Sequence, residues 1–133
     1  MIIIDHTILL LYFAGDTRAA EVIDLINEGR EEGYIYEGSM MELINKLLNV
    51  FDYQEVARRL EAIKNSKIKI IGFDYEVGKK SVKIKKMYEL SMVGSYIIAL
   101  AIHTGATLIT ADKRLLVEGL KAEYIEPPIK SHV

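Results

Sequence analysis

No cysteine occurs in this chain of 133 residues. Disulfide bridges, thiolate metal ligands and cysteine nucleophiles are thereby excluded, and a reducing compartment suits the chain. Basic excess is lacking too. Lys and Arg number 17 against 19 Asp and Glu, a formal net charge of -2, so the total makes no case for a nucleic-acid partner. A local basic patch matters more than the total, and leaves that partner open. Nowhere does an apolar stretch reach the roughly 18–20 residues needed to cross a bilayer. The first residues lack the positive n-region and small-residue cleavage site of a signal peptide. A soluble, cytoplasmic protein with no membrane partner is expected. Glutamine is almost absent (Gln54 alone) beside many Ile, Lys and Glu, a weak thermophilic signature.

What is present reads as globular: 50% of residues are apolar and 27% charged. The length suits one compact domain over residues 1–133 with a proper core. Four short, β-rich apolar runs without helical period are expected to be buried strands: Ile2–Ile4, Tyr34–Tyr36, Ile68–Ile71 and Thr107–Ile109. A weaker fifth, Tyr124–Ile125, precedes two prolines. Helical segments lie between them. Asp16 or Thr17 is expected to cap "RAAEVIDLINEG", which Gly29 or Gly33 would end. Ser39 heads "SMMELINKLLNV" and Asp52 heads "DYQEVARRLEAIKN", each with a glutamate at capping-box spacing, Glu42 and Glu55. Asp74 is expected to cap "YEVGKKSVKIKKMY", with Phe73, Val77, Ser81, Ile84 and Tyr88 on one face. "GSYIIALAIHTGA" reads as a buried helix and "DKRLLVEGL" as a last short one. Strands alternating with helices, often two per crossover, indicate a parallel sheet covered on both faces.

In such sheets ligands bind outside the carboxyl ends of the strands. Asp5 closes the first run, Asp112 follows the fourth in "LITADK", and Glu42 opens the helix after the second. If the strands are neighbours, three acids distant in sequence meet at one edge. Two carboxylates about 4 Å apart repel by roughly 4 kcal/mol at an effective dielectric of 20. A cluster therefore needs a cation, raised pKa values or separation, and oxygen donors alone suit Mg2+ or Mn2+. Each acid also has a local explanation: Asp5 and Asp112 as helix caps, Glu42 as the far half of the Ser39 capping box.

Taken together, "MIIIDHTILL", "SMMELINKLL" and "LSMVGSYIIALAIHTGATLITADKRL" resemble the PIN-domain family, including the VapC toxins of toxin–antitoxin pairs. The resemblance runs over nearly the whole chain. It implies a three-layer α/β/α sandwich with a mainly parallel, about five-stranded sheet, and RNA cleavage dependent on Mg2+ or Mn2+. It assigns the metal to Asp5, Glu42 and Asp112, and matches Thr110 to the threonine of the family's T-x-D motif, as a supporting hydroxyl. Two positions depart from the pattern. Gly94 stands where the family's third acid opens a helix, and Arg114 where a further acid is common. Ser95 is left to cap that helix. The resemblance implies an RNA substrate and an antitoxin partner, and a homodimer is expected beside them. The alternative, which Gly94 favours, is a catalytically inactive PIN-fold module that binds RNA or a protein.

Elsewhere, Lys79, Lys80, Lys83, Lys85 and Lys86 share a helix, either as a solvated face or as a phosphate-contacting stripe. His103 is expected as a cation at a helix C-terminus, and His132 lies in a frayed tail. Leu9–Leu11, Tyr12 and Phe13 are expected mostly in the core, with subunit pairing as their other use.

Overall fold

The computed structural model describes residues 1–128. In chain order its elements are β1 (Ile2–Ile4), α1 (His6–Phe13), α2 (Thr17–Asn27), β2 (Gly33–Tyr36), α3 (Glu37–Leu48), α4 (Tyr53–Lys64) and β3 (Lys69–Ile71). Then come α5 (Tyr75–Tyr88), α6 (Met92–Thr104), β4 (Thr107–Thr110), a 3-10 turn (Lys113–Leu115) and β5 (Ala122–Tyr124). The five strands form one sheet in the order β3-β2-β1-β4-β5, and every pair is parallel. Ile4 stands in register with Ile35 on one side and Ile109 on the other.

The period of two along β1 builds both layers of core. Ile2 and Ile4 pack with Ile8, Ile23, Ile26, Leu43 and Val56 from α1 to α4. Ile3, with Leu108 of β4, packs with Val77 of α5 and Ile97, Ile98 and Leu100 of α6. Burying a side chain of this size contributes about 1.5–3 kcal/mol, so three isoleucines in a row fix β1 at the centre. This is the α/β/α sandwich expected. The run from Leu9 to Phe13 is packed against the first layer, Leu9 fully and the rest in part.

Where a cap is local, spacing reads it well. Asp16 accepts from the amides of Arg18 and Ala19, Asp52 from Glu55, and Asp74 from Val77. Ile68–Ile71, expected as a buried strand, is the edge strand β3 with Lys69 and Ile70 exposed, and four further expectations need correction. First, α3 does not begin at Ser39: β2 runs straight into it at Glu37, and Ser39 is buried inside the helix. Second, Ser91 rather than Ser95 caps α6, its Oγ accepting from Gly94 N at 3.0 Å. Ser95, inside the helix, donates back to the Ser91 carbonyl instead. Third, "DKRLLVEGL" forms only the 3-10 turn. Fourth, the apolar face of α5 is buried at Val77 and Ser81 but open at its ends, Phe73 and Tyr88. His132 lies outside the described residues.

Gly33 shows how closely α2 sits on the sheet. A β-carbon there would stand 2.3–2.8 Å from three carbons of Ile26, itself buried. Gly33→Ala should therefore cost about 1–3 kcal/mol through overpacking, measured by urea unfolding. An unchanged midpoint would show that α2 yields freely.

Candidate functional site

The strand order reverses between β1 and β4, because the chain leaves β1 for β2 on one side and returns to β4 on the other. Just beyond their carboxyl ends is a cavity of about 700 Å3. Asp5, Glu42 and Asp112 all line it, as do His6, Gly94 and Arg114. The crevice is where an open parallel sheet places its ligand.

Asp5 is 1% exposed and tied down on all sides. One oxygen accepts from the Thr7 amide at 3.0 Å and from the Thr7 hydroxyl. The other accepts from the Thr110 hydroxyl at 2.6 Å. Each threonine then takes an amide from the segment after β4: Ala111 N donates to Thr7 Oγ1 at 2.8 Å, and Asp112 N to Thr110 Oγ1 at 3.0 Å. Asp5 thus caps α1 and joins the ends of β1 and β4. Thr110, itself fully buried, meets the cavity through Asp5. Burial pushes the Asp5 carboxyl up, against the lowering pull of both hydroxyls.

Asp112 has the opposite environment. Burial raises its carboxyl, but the Arg114 side chain and amide together outweigh that, holding it below the ordinary range. Oδ1 accepts from Arg114 N at 3.1 Å and Nε at 2.9 Å, and Oδ2 from the guanidinium at 2.8 Å. Asp16 and Arg18 make the same arrangement at the start of α2, where Asp16 again caps and Arg18 clasps both oxygens. The Asp-x-Arg spacing is thus a recurrent local device, and a sequence signal for the pair at Asp112. The Arg114 side chain is 80% exposed and that of Asp112 20%, so the clasp is worth little, about 0–1 kcal/mol.

Glu42 is different again. Because α3 starts two residues before Ser39, Glu42 serves no capping box. It has no hydrogen-bond or ion-pair partner among the described residues and lines the cavity with Lys46, one turn further along α3. Lys113 joins Arg114 on the rim. These two lysines and His6, whose Nδ1 is buried without a hydrogen-bond partner among the described residues, carry charge or polarity that sequence spacing did not single out. The helix period from Glu42 would have found Lys46.

The carboxylates as arranged make an incomplete site for a divalent ion. Each oxygen of Asp5 and Asp112 already accepts at least one hydrogen bond, which leaves one lone pair on Asp5 Oδ2 and one on Asp112 Oδ2, and Gly94 provides no side-chain oxygen. Among the described residues, no group of three or more His, Cys, Asp and Glu side chains is placed to hold a metal. The lysines of α5 lie away from this cavity. Lys79 pairs with Glu76 at 3.1 Å, and Lys80 donates to Nδ1 of His103 at 2.8 Å. No helix among the described residues is long and apolar enough to cross a membrane.

Solved structures share this fold. A toxin–antitoxin complex from Klebsiella pneumoniae superposes with a TM-score of 0.76 at 20% identity, covering 96% of this chain and all of that one. VapBC2 from Rickettsia felis, bound to a DNA fragment from its promoter, gives 0.77 at 16% identity, covering 95% of this chain and 100% of the other. VapBC from Salmonella typhimurium gives 0.76 at 14%, with 92% and 96% covered. At these identities the likeness is one of fold. No curated protein sequence matches the chain. The family model of the PIN domain, however, matches residues 2–117, most of the chain and every element that builds the cavity except β5, so the protein belongs to the PIN-domain family.

Proposed function

We propose that this protein acts on RNA, as the ribonuclease toxin of a toxin–antitoxin pair. The observation that carries the reading is the cavity at the reversal of strand order, where unpaired Glu42 faces the same space as Asp5, Asp112, Lys46, Lys113 and Arg114. The cations there would bind the phosphodiester and neutralise charge gathering on phosphorus. Glu42, unengaged by the fold, would accept the proton of the attacking nucleophile. Asp5 and Thr110 hold the loop after β4 that presents Asp112, Lys113 and Arg114. No step is assigned to Mg2+ or Mn2+, since no group of three acids among the described residues is placed to hold either ion. The family resemblance still calls for both ions in any assay.

An antitoxin partner belongs to the same proposal, supported by fold neighbours that are toxin–antitoxin complexes. So do a homodimer and a cytoplasmic site of action. Met41, Val50 and Tyr53, exposed on and beside α3 and α4, supply apolar surface for another chain. The second reading, a PIN-fold module that binds RNA or protein without cutting, is favoured by Gly94 and by the clasp on Asp112.

Cleavage of a mixed single-stranded RNA by the parent and by Glu42→Gln, with Mg2+, Mn2+ or EDTA, separates the two. Loss of a general base removes about 10²–10⁴ in rate, so a fall of at least a hundredfold in the variant is expected. Equal cleavage by both proteins would mean contamination and end the enzyme reading. Binding without cleavage by the parent would select the second.

A further inference from the structure

The first turn of α6 separates the cavity from a second groove of about 380 Å3, and Val93 lines both. This groove is made of rings. Tyr36 stacks on Tyr96 with centroids 4.0 Å apart and planes 20° from parallel, and Phe73 follows at 5.6 Å and 30°. Two glycines let the rings lie against backbone. A β-carbon on Gly78 would come within 2.7 Å of the Phe73 ring, and one on Gly38 within 2.6 Å of the Tyr36 ring. Tyr96 is held by its hydroxyl, which accepts from Asp74 N at 2.6 Å. The platform is built before anything lies on it. It is also open, since Phe73 is 60% exposed and Tyr75, on its rim, 69%.

One lysine reaches the rings, paired with Glu76, and others follow it along α5. Lys79 Nζ stands 5.2 Å from the Tyr75 ring centroid. Lys80, Lys83, Lys85 and Lys86 follow on α5, whose residues from Tyr75 to Tyr88 include one acid, Glu76. A flat aromatic floor beside a lysine stripe matches a strand that carries rings and negative charges in alternation. A second copy of this chain on the groove would set one lysine stripe near another. An apolar protein segment would leave Lys83, Lys85 and Lys86 without a partner, since only Lys79 and Lys80 of this stripe are engaged among the described residues.

We propose that this groove binds a base of single-stranded RNA, next to the phosphodiester held in the main cavity. The inference rests on the RNA reading above and adds a subsite to it. Phe73 and Tyr75 stack the base, while Lys79 and Lys83 neutralise the adjoining phosphates. Two hydroxyls on the groove are already engaged: that of Ser81 donates to the Gly78 carbonyl and that of Tyr96 accepts from Asp74 N. Base choice therefore follows stacking area more than hydrogen-bond readout, with purines ahead of pyrimidines.

The test is fluorescence anisotropy in EDTA, using a labelled oligoadenylate and the same strand with internal abasic sites. The parent should bind the base-bearing strand at least tenfold tighter. Phe73→Ala and Tyr75→Ala should shrink that ratio toward one and leave abasic affinity unchanged. Lys83→Ala should weaken both strands alike and lower the salt slope by about one. Equal affinity of the parent for the two strands overturns the subsite while sparing the RNA reading. Binding of neither strand ends both. Sedimentation of the parent and Phe73→Ala, with circular dichroism to confirm folding, supplies the remaining outcome. A dimer dissociated by that change would give the groove to a second copy and overturn the proposal.

Discussion

Asp5→Ala should lower the stability of the protein by about 2–4 kcal/mol, whatever its effect on RNA. Three losses add. The cap of α1 goes, about 1 kcal/mol, because Thr7 N has its acceptor in Asp5. The hydroxyls of Thr7 and Thr110 lose theirs at a buried site, about 1–3 kcal/mol for each donor left unmatched. Against this, a carboxylate that burial disfavours is no longer confined in the interior. Asp5→Asn keeps one acceptor and should cost less than the alanine change. The parent carries a pH signature that both variants lack. Since burial raises the Asp5 carboxyl above its ordinary 3.8, the folded chain holds that proton to higher pH than the unfolded chain does. The stability tied to it is whole below the ordinary range and is lost as pH rises through the raised folded value. The gap between parent and Asp5→Asn should therefore narrow from about pH 4 upward. Urea unfolding across pH measures both effects. A cost under about 1 kcal/mol for Asp5→Ala would show that the two threonines do not depend on this carboxylate.

The central strands were legible because a strand buried on both faces leaves an unbroken apolar run, as Ile2–Ile4 does in three residues. The edge strands β3 and β5 are largely open and were read less well. Caps at Asp16, Asp52 and Asp74 were legible because a cap is settled within four residues. Reading failed where tertiary placement overrode local spacing. Ser39 has the right partner three positions on, yet β2 leads directly into α3, and the hydroxyl ends up buried without a hydrogen-bond partner among the described residues. The failure bears on function, for it removes the local explanation of Glu42. For Asp5 and Asp112 the cap and the cavity proved compatible: each caps a turn and lines the crevice. The aromatic groove was illegible, since Tyr36 of β2, Phe73 of the β3–α5 connection and Tyr96 of α6 meet only in the fold. Nor do residues alone reveal that Phe73, at the end of an amphipathic stripe, lies outside the core.

Gly94→Asp should turn a site that holds Mn2+ poorly into one that holds it well. Gly94 is the third helical residue after Ser91, and its amide already donates to the cap. An acid there meets the N-terminal end of the α6 dipole, worth about 0.3–1 kcal/mol. Space is tight: a β-carbon would lie 3.0 Å from Leu115 Cδ2 and 3.0 Å from Ser91 Oγ, so both must shift by a few tenths of an ångström. A further carboxylate on a cavity already lined by Glu42, Asp5 and Asp112 adds repulsion. Without metal, the variant should be less stable than the parent by about 1–2 kcal/mol. With Mn2+ the order reverses, because the same repulsion becomes affinity. The Arg114 clasp opposes this weakly, as an exposed pair does. At a hundred times the dissociation constant, a ligand confined to the folded state stabilises it by about 2.7 kcal/mol, or roughly 5–10 °C in melting temperature for a chain of this size. The parent should move by far less at the same Mn2+ concentration. Calorimetric titration alongside the melts distinguishes a bound ion from a salt effect, with Mg2+ and Ca2+ as comparisons. If the variant melts at one temperature with and without Mn2+, the missing acid is not what keeps a divalent ion from this crevice.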